Sequence, residues 1–143
     1  MMPQYHALVS ALASAVFFYF TSSPFAALLC FLAGVVIDAD HLLDFWIYKN
    51  RVIVTREIFA HFYNRFGKIY VILHSYEIII VLLLFGCIFH KVMIHLFAIA
   101  IGMLVHIILD FFSYEMHLAS YFFTYRLLRK FDKKFICLNE MKE

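Results

Sequence analysis

Carboxylates and imidazoles recur in this sequence at spacings that would let them hold a cation. They occur as Asp38-Ala39-Asp40-His41 followed by Asp44, as His74-Ser75-Tyr76-Glu77, as His106 with Asp110, and as a single His6 near the start. In helical conformation, residues three and four apart share a face, so His74 with Glu77 and His106 with Asp110 each form a two-ligand pair. At about 100° per residue, Asp40, His41 and Asp44 fall within roughly a 100° arc, and Asp38 stands roughly 60° beyond His41. Imidazole with carboxylate and no thiolate suits Zn²⁺, Mn²⁺ or Fe²⁺, with Zn²⁺ foremost, better than Ca²⁺ or Cu⁺. His6, Asp38, Asp40, His41, His74, His106 and Asp110 are accordingly the expected ligands of one or two divalent ions. A metal with one open position lowers the pKa of bound water toward about 7 and polarises a phosphoryl or carbonyl oxygen, the minimum for hydrolysis. Asp44 or Glu77 is expected to act as general base.

The elements that must carry these groups are membrane helices. Of the 143 residues, 65% are hydrophobic, 20% aromatic and only 15% charged, far from the composition of a soluble domain. Each bilayer crossing takes roughly 20 apolar residues, which leaves no room for a separate soluble catalytic domain. The expected fold is all-α and integral to the membrane, a single domain over 1–143. Four spans are predicted at about 6–20, 24–48, 69–89 and 92–114, followed by an amphipathic interfacial helix at about 116–135. A fifth span ending in a basic stop is the alternative for that last segment. Thr21-Ser22-Ser23 before Pro24 reads as a tight turn into a helix, because proline is favoured at a first helical position. The first apolar segment is read as retained, with no Lys or Arg ahead of it. Cys30, Cys87 and Cys137 have no CxxC spacing and suggest neither disulfides nor a thiolate site.

Four spans put the N-terminus, the 49–68 loop and the C-terminal tail on one side, with eleven of the twelve Lys and Arg residues. The positive-inside rule makes that side the cytoplasm, so the chain is expected to be a multi-pass membrane protein with both termini cytoplasmic. At a rise of ~1.5 Å per residue, Asp38 to His41 lie roughly 21–25 Å from Pro24, His106 about 21 Å from Val92, and His74 about 8 Å past Ile69. Because the helices alternate in direction, these depths converge on the cytoplasmic end, where His6 also lies. Carboxylates gathered at one depth repel each other unless a cation joins them. His90 and His95 belong to the opposite end and His117 to the interface, while His61 in the loop is a secondary ligand candidate. No nucleic-acid motif is present, and anionic lipid headgroups account for the basic tail.

These residues also resemble a known group, the YbcI/YdjM-type inner-membrane proteins, described as membrane-bound metal-dependent hydrolases. The resemblance lies in the early His6, the Gly34-containing helix ending in Asp38-x-Asp40-His41, His74-Ser75, and His106-x-x-x-Asp110. Members of that group usually have Pro before the first Asp and His-Arg-Gly ahead of His-Ser, where this chain has Ile37 and Ile72-Leu73. The resemblance implies a metal-dependent hydrolase of a bacterial inner membrane, and the depth of the site, roughly 5–10 Å below the headgroups, points to a lipid-type phosphoester or ester as substrate at the cytoplasmic face. The same intramembrane Asp and His residues would also suit a metal-ion or proton transporter, or an ion that staples the bundle without catalysis.

Overall fold

The computed structural model describes residues 3–49, 67–113 and 116–137. His61, most of the 49–68 loop and Tyr114 at the end of the last predicted span lie outside them. The described residues form helices α1 (Pro3–Thr21), α2 (Pro24–Val36), α3 (Ala39–Lys49), α4 (Tyr76–Ile88), α5 (Met93–Ser113) and α6 (Phe123–Leu128). Short 3-10 turns at His90–Val92, Leu118–Tyr121 and Lys133–Phe135 link or follow them. Among the described residues there are no strands, only isolated antiparallel bridges pairing Lys68 with Asp132 and Met116 with Cys137.

The α1–α2 corner closes as its residues require. The Thr21 hydroxyl bonds back to the Phe17 carbonyl at 2.7 Å, Ser22 takes a positive φ of 51°, and Ser23 caps α2 by accepting from the Ala26 N–H. Helix α2 then packs between α1 and α5, and α5 also receives α4. Two glycines set the closeness of this packing. A Cβ on Gly102 would strike the Cys30 carbonyl of α2, and one on Gly34 would strike the Ser10 hydroxyl of α1. Small residues at such crossings let helix backbones approach in apolar surroundings.

Beside a core of buried hydrophobic residues, many large apolar side chains face outward while a set of polar and charged ones is buried. Leu8, Leu12 and Val16 of α1, Phe25, Leu28 and Leu32 of α2, and Ile80, Leu84 and Ile88 of α4 point outward, whereas His6, Ser10, Asp40, His41, Asp44, His74, His106 and Asp110 are buried. Two helical stretches, Pro24–Asp44 and His90–Ser113, are long and apolar enough to cross a membrane, and Tyr76–Ile88 is a shorter apolar helix.

Three elements differ from the sequence expectation. The helix predicted over 24–48 is interrupted by a turn at Ile37-Asp38, where the Asp40 N–H reaches the Ile37 carbonyl and the His41 N–H that of Asp38 in tight three-residue steps. The helix predicted over 69–89 starts only at Tyr76, because the backbone before it is held by side chains instead of its own carbonyls. The segment predicted as one interfacial helix over 116–135 folds as a 3-10 turn, six residues of α6 and a reversal through positive φ at Lys130 (55°) and Phe131 (59°). Of its expected apolar stripe, Leu118, Tyr121, Phe122, Tyr125 and Leu128, Tyr121 alone is buried and Leu128 is 81% exposed, while Ser120 and Arg126 off the stripe are buried.

Candidate metal centre

The close α2–α5 crossing positions the centre of the site. With α2 held against α5, the Gly34 carbonyl lies 2.7 Å from His106 Nδ1. A carbonyl only accepts, so Nδ1 carries a proton, and with Nε2 unprotonated His106 would present a lone pair to the interior. Nε2 lies 3.3 Å from Asp38 Oδ1, 3.3 Å from Asp110 Oδ2 and 3.3 Å from His74 Nε2. His74 Nε2 is in turn 3.3 Å from Asp110 Oδ2 and 3.9 Å from Asp38 Oδ1.

Asp38, His74, His106 and Asp110 thus form a cluster that could hold a metal ion, their donor atoms all within 4.8 Å of one another. Metal–ligand bonds of about 2.0–2.1 Å in a tetrahedron require donor separations of about 3.3–3.4 Å. Four of the six separations are 3.3 Å and a fifth is 3.9 Å. A proton on one imidazole would serve a single line between two atoms, whereas a central cation serves all four. Two carboxylate charges within 4.8 Å repel by about 3 kcal/mol or more at an effective dielectric constant near 20, which a cation reverses.

The neighbouring groups are arranged as supports for ligands. Asp40 Oδ1 lies 3.3 Å from His74 Nδ1, the carboxylate–histidine relation that orients a metal-bound imidazole. His6 Nε2 lies 3.2 Å from the other Asp110 oxygen, and its ring stacks on His106 with centroids 4.0 Å apart. His41 Nε2 is 3.6 Å from Asp38 Oδ1, and its ring centroid is 4.9 Å from that of His74. Of the seven predicted ligands, Asp38, His74, His106 and Asp110 converge directly, and His6, Asp40 and His41 surround them. Asp38, with 18% of its side chain exposed, is the one member of the converging set that is not fully buried.

The two predicted general bases sit elsewhere and hold backbone. Asp44 accepts the Tyr70 N–H at 2.9 Å and the Val71 N–H at 3.2 Å, and Asp40 Oδ2 accepts the Leu73 N–H at 2.5 Å. These bonds replace the helical pairing that residues 70–73 lack, and so deliver His74 to the cluster. Glu77 accepts the N–H groups of Phe123 and Thr124, both at 2.9 Å, and the Thr124 hydroxyl at 2.8 Å, closing the first turn of α6. Both carboxylates thus hold backbone N–H groups and lie outside the converging set of donors.

Sequence reasoning missed Arg126, which was expected on the solvated face of an interfacial helix. It is fully buried, and its guanidinium faces the segment that carries His74. One signal was available: Leu127-Leu128 separate Arg126 from the Arg129-Lys130 and Lys133-Lys134 pairs, setting it apart from the basic run. His95 meets Phe25 edge-on at 5.4 Å, away from the cluster, and His117 Nδ1 accepts from the Ala119 N–H to cap a 3-10 turn. No family model, no curated protein and no solved structure matches the chain.

Proposed function

We propose that this chain is a membrane-embedded, metal-dependent hydrolase that acts at the cytoplasmic face on a lipid-type phosphoester or ester. The observation that carries the reading is the convergence of Asp38 Oδ1, His74 Nε2, His106 Nε2 and Asp110 Oδ2 at near-tetrahedral spacing. Zn²⁺ fits this donor set well, and Mn²⁺ or Fe²⁺ share its preference for imidazole and carboxylate. Such an ion supplies Lewis-acid polarisation of a phosphoryl or carbonyl oxygen and acidifies water. The chain's residues would do the rest. Asp110 and His74 are held in place by His6 and Asp40, and His106 by the Gly34 carbonyl. Asp38, the partly exposed member, with His41 beside it, gives the side from which a substrate headgroup would approach.

The apolar exterior and the helical stretches long enough to cross a bilayer support lipid as the surrounding solvent, and with it a lipid as the substrate within reach. Four spans in a bacterial inner membrane, both termini cytoplasmic, would set the cluster beside the basic residues and anionic headgroups. The resemblance to the YbcI/YdjM-type proteins points to the same chemistry. The test supplies purified protein loaded with Zn²⁺ or Mn²⁺ to a panel of phospholipids and polyprenyl phosphates. Metal-dependent turnover that disappears in His106→Ala is expected. No turnover from folded, metal-loaded protein across the panel would remove the hydrolase reading.

A structural ion is the second reading, favoured by one observation: four protein donors lie within 4.8 Å of one another, enough to fill every position of a closed structural site. Asp38→Asn separates the two. Catalysis predicts lost turnover with the fold intact, whereas a staple predicts unfolding on loss of the ion.

A further inference from the structure

Residues 69–75 have neither helix nor strand pairing, yet they present His74 to the cluster with buried Ile69, Val71 and Ser75 beside it. Their N–H groups at Tyr70, Val71 and Leu73 go to Asp44 and Asp40. Their carbonyls converge on a single cation from the other end of the sequence. Arg126 Nη1 donates to the Tyr70 carbonyl at 2.9 Å and the Val71 carbonyl at 2.6 Å, and Nη2 donates to the His74 carbonyl at 3.2 Å and the Ser75 hydroxyl at 2.6 Å. Ser75 passes the restraint on by donating to the Ile72 carbonyl at 2.6 Å. Val71, a buried β-branched residue, is held at a positive φ of 28°, with its N–H fixed by Asp44 and its carbonyl by Arg126. Strain of this kind persists only where surrounding bonds over-determine the backbone.

We infer that Arg126 is a positioning residue for the metal centre, clamping the 70–75 segment so that His74 Nε2 is pre-set among the other donors. The inference rests on the metal-centre reading above. It makes the C-terminal segment part of the site. The Ile69 N–H bonds to the Phe131 carbonyl at 2.9 Å, the Lys133 N–H bonds to the Gly67 carbonyl at 3.0 Å, and Glu77 closes the first turn of α6, so the two segments brace each other on three sides of the arginine. Lysine would not replace it, because a compact ammonium cannot span acceptors on four residues as a planar guanidinium does.

The test is a Co²⁺ titration of the full-length protein in detergent, read by visible absorption, with helix content measured alongside. Arg126→Gln is expected to weaken Co²⁺ binding by about tenfold or more, as losses of groups that orient metal ligands commonly do. Arg126→Lys and Ser75→Ala fall between it and wild type, and Arg129→Gln, which removes a charge from the same segment without touching residues 70–75, binds as wild type does. Because Arg126 acts through His74, adding Arg126→Gln to His74→Ala weakens binding no further than His74→Ala alone, whereas a merely structural role would be additive. Wild-type affinity in folded Arg126→Gln, or additivity in the pair, overturns the inference. Should Arg126→Gln fail to fold, wild-type affinity in both Arg126→Lys and Ser75→Ala overturns it. If the wild-type protein binds no Co²⁺, the metal-centre reading falls and takes this one with it, so the two failures are distinguishable.

Discussion

His106 decides what the cluster can be. Its Nδ1 proton is given to a backbone carbonyl, so its second nitrogen cannot relieve two carboxylates and another imidazole unless something positive sits among them. A gained proton and a bound metal therefore compete for the same position, and metal binding must release protons. Zn²⁺ affinity is expected to fall as pH is lowered through the ordinary imidazole range near pH 6.5, measured by competition with a chelator whose own pH dependence is known. A pH-independent affinity would mean that histidines are not among the ligands. Asp44 and Glu77 illustrate the other use of a carboxylate in this chain, holding N–H groups that no helix satisfies. Glu77→Ala is expected to lower stability by about 1–2 kcal/mol, the usual range for a lost cap, and, because it loosens the turn that carries Arg126, to reduce retained metal less than Arg126→Gln does. Thermal unfolding in detergent beside elemental analysis checks both.

At the scale of elements, the site depends on how closely α2 and α5 approach. Gly102→Ala would drive a methyl group into the Cys30 carbonyl, a backbone atom that cannot swing away, whereas Gly34→Ala meets the movable Ser10 hydroxyl. Gly102→Ala is therefore expected to destabilise more, within the about 1–3 kcal/mol typical of overpacking, and to weaken metal binding by drawing Gly34 away from His106. Equal melting points for the two variants would contradict this ranking. The same elements explain what could be read in advance. The pairing of His106 with Asp110 was legible because both stand on one regular helix and the inference needs only its period, whereas His74 precedes α4 and Asp38 lies in the turn before α3, and the expected His74–Glu77 pair does not form. The break at Ile37-Asp38 and the late start of α4 were hidden, since apolar periodicity runs straight through both. Ser75 ahead of Tyr76-Glu77 was a legible helix-start signal. Arg126 was misread because amphipathic patterning assumes a regular helix, and in the described residues α6 covers only Phe123–Leu128.

In the described residues a buried polar cluster lies beside a hydrophobic core, and many large apolar side chains face outward, as a lipid solvent would favour. The chain's basic residues fall almost entirely at the sequence positions on the site's side of the proposed topology. In a cysteine-free background, Lys91→Cys is expected to react with a membrane-impermeant maleimide on intact spheroplasts, and Lys134→Cys only after the membrane is opened. The reverse pattern would turn the site toward the outside and remove the cytoplasmic assignment. The most direct test of the account is the metal content of protein purified in detergent and equilibrated with Zn²⁺, Mn²⁺ or Fe²⁺. The account predicts about one tightly held ion per chain, lost together in His106→Ala and Asp110→Asn. A folded wild-type protein that retains none of the three would contradict it.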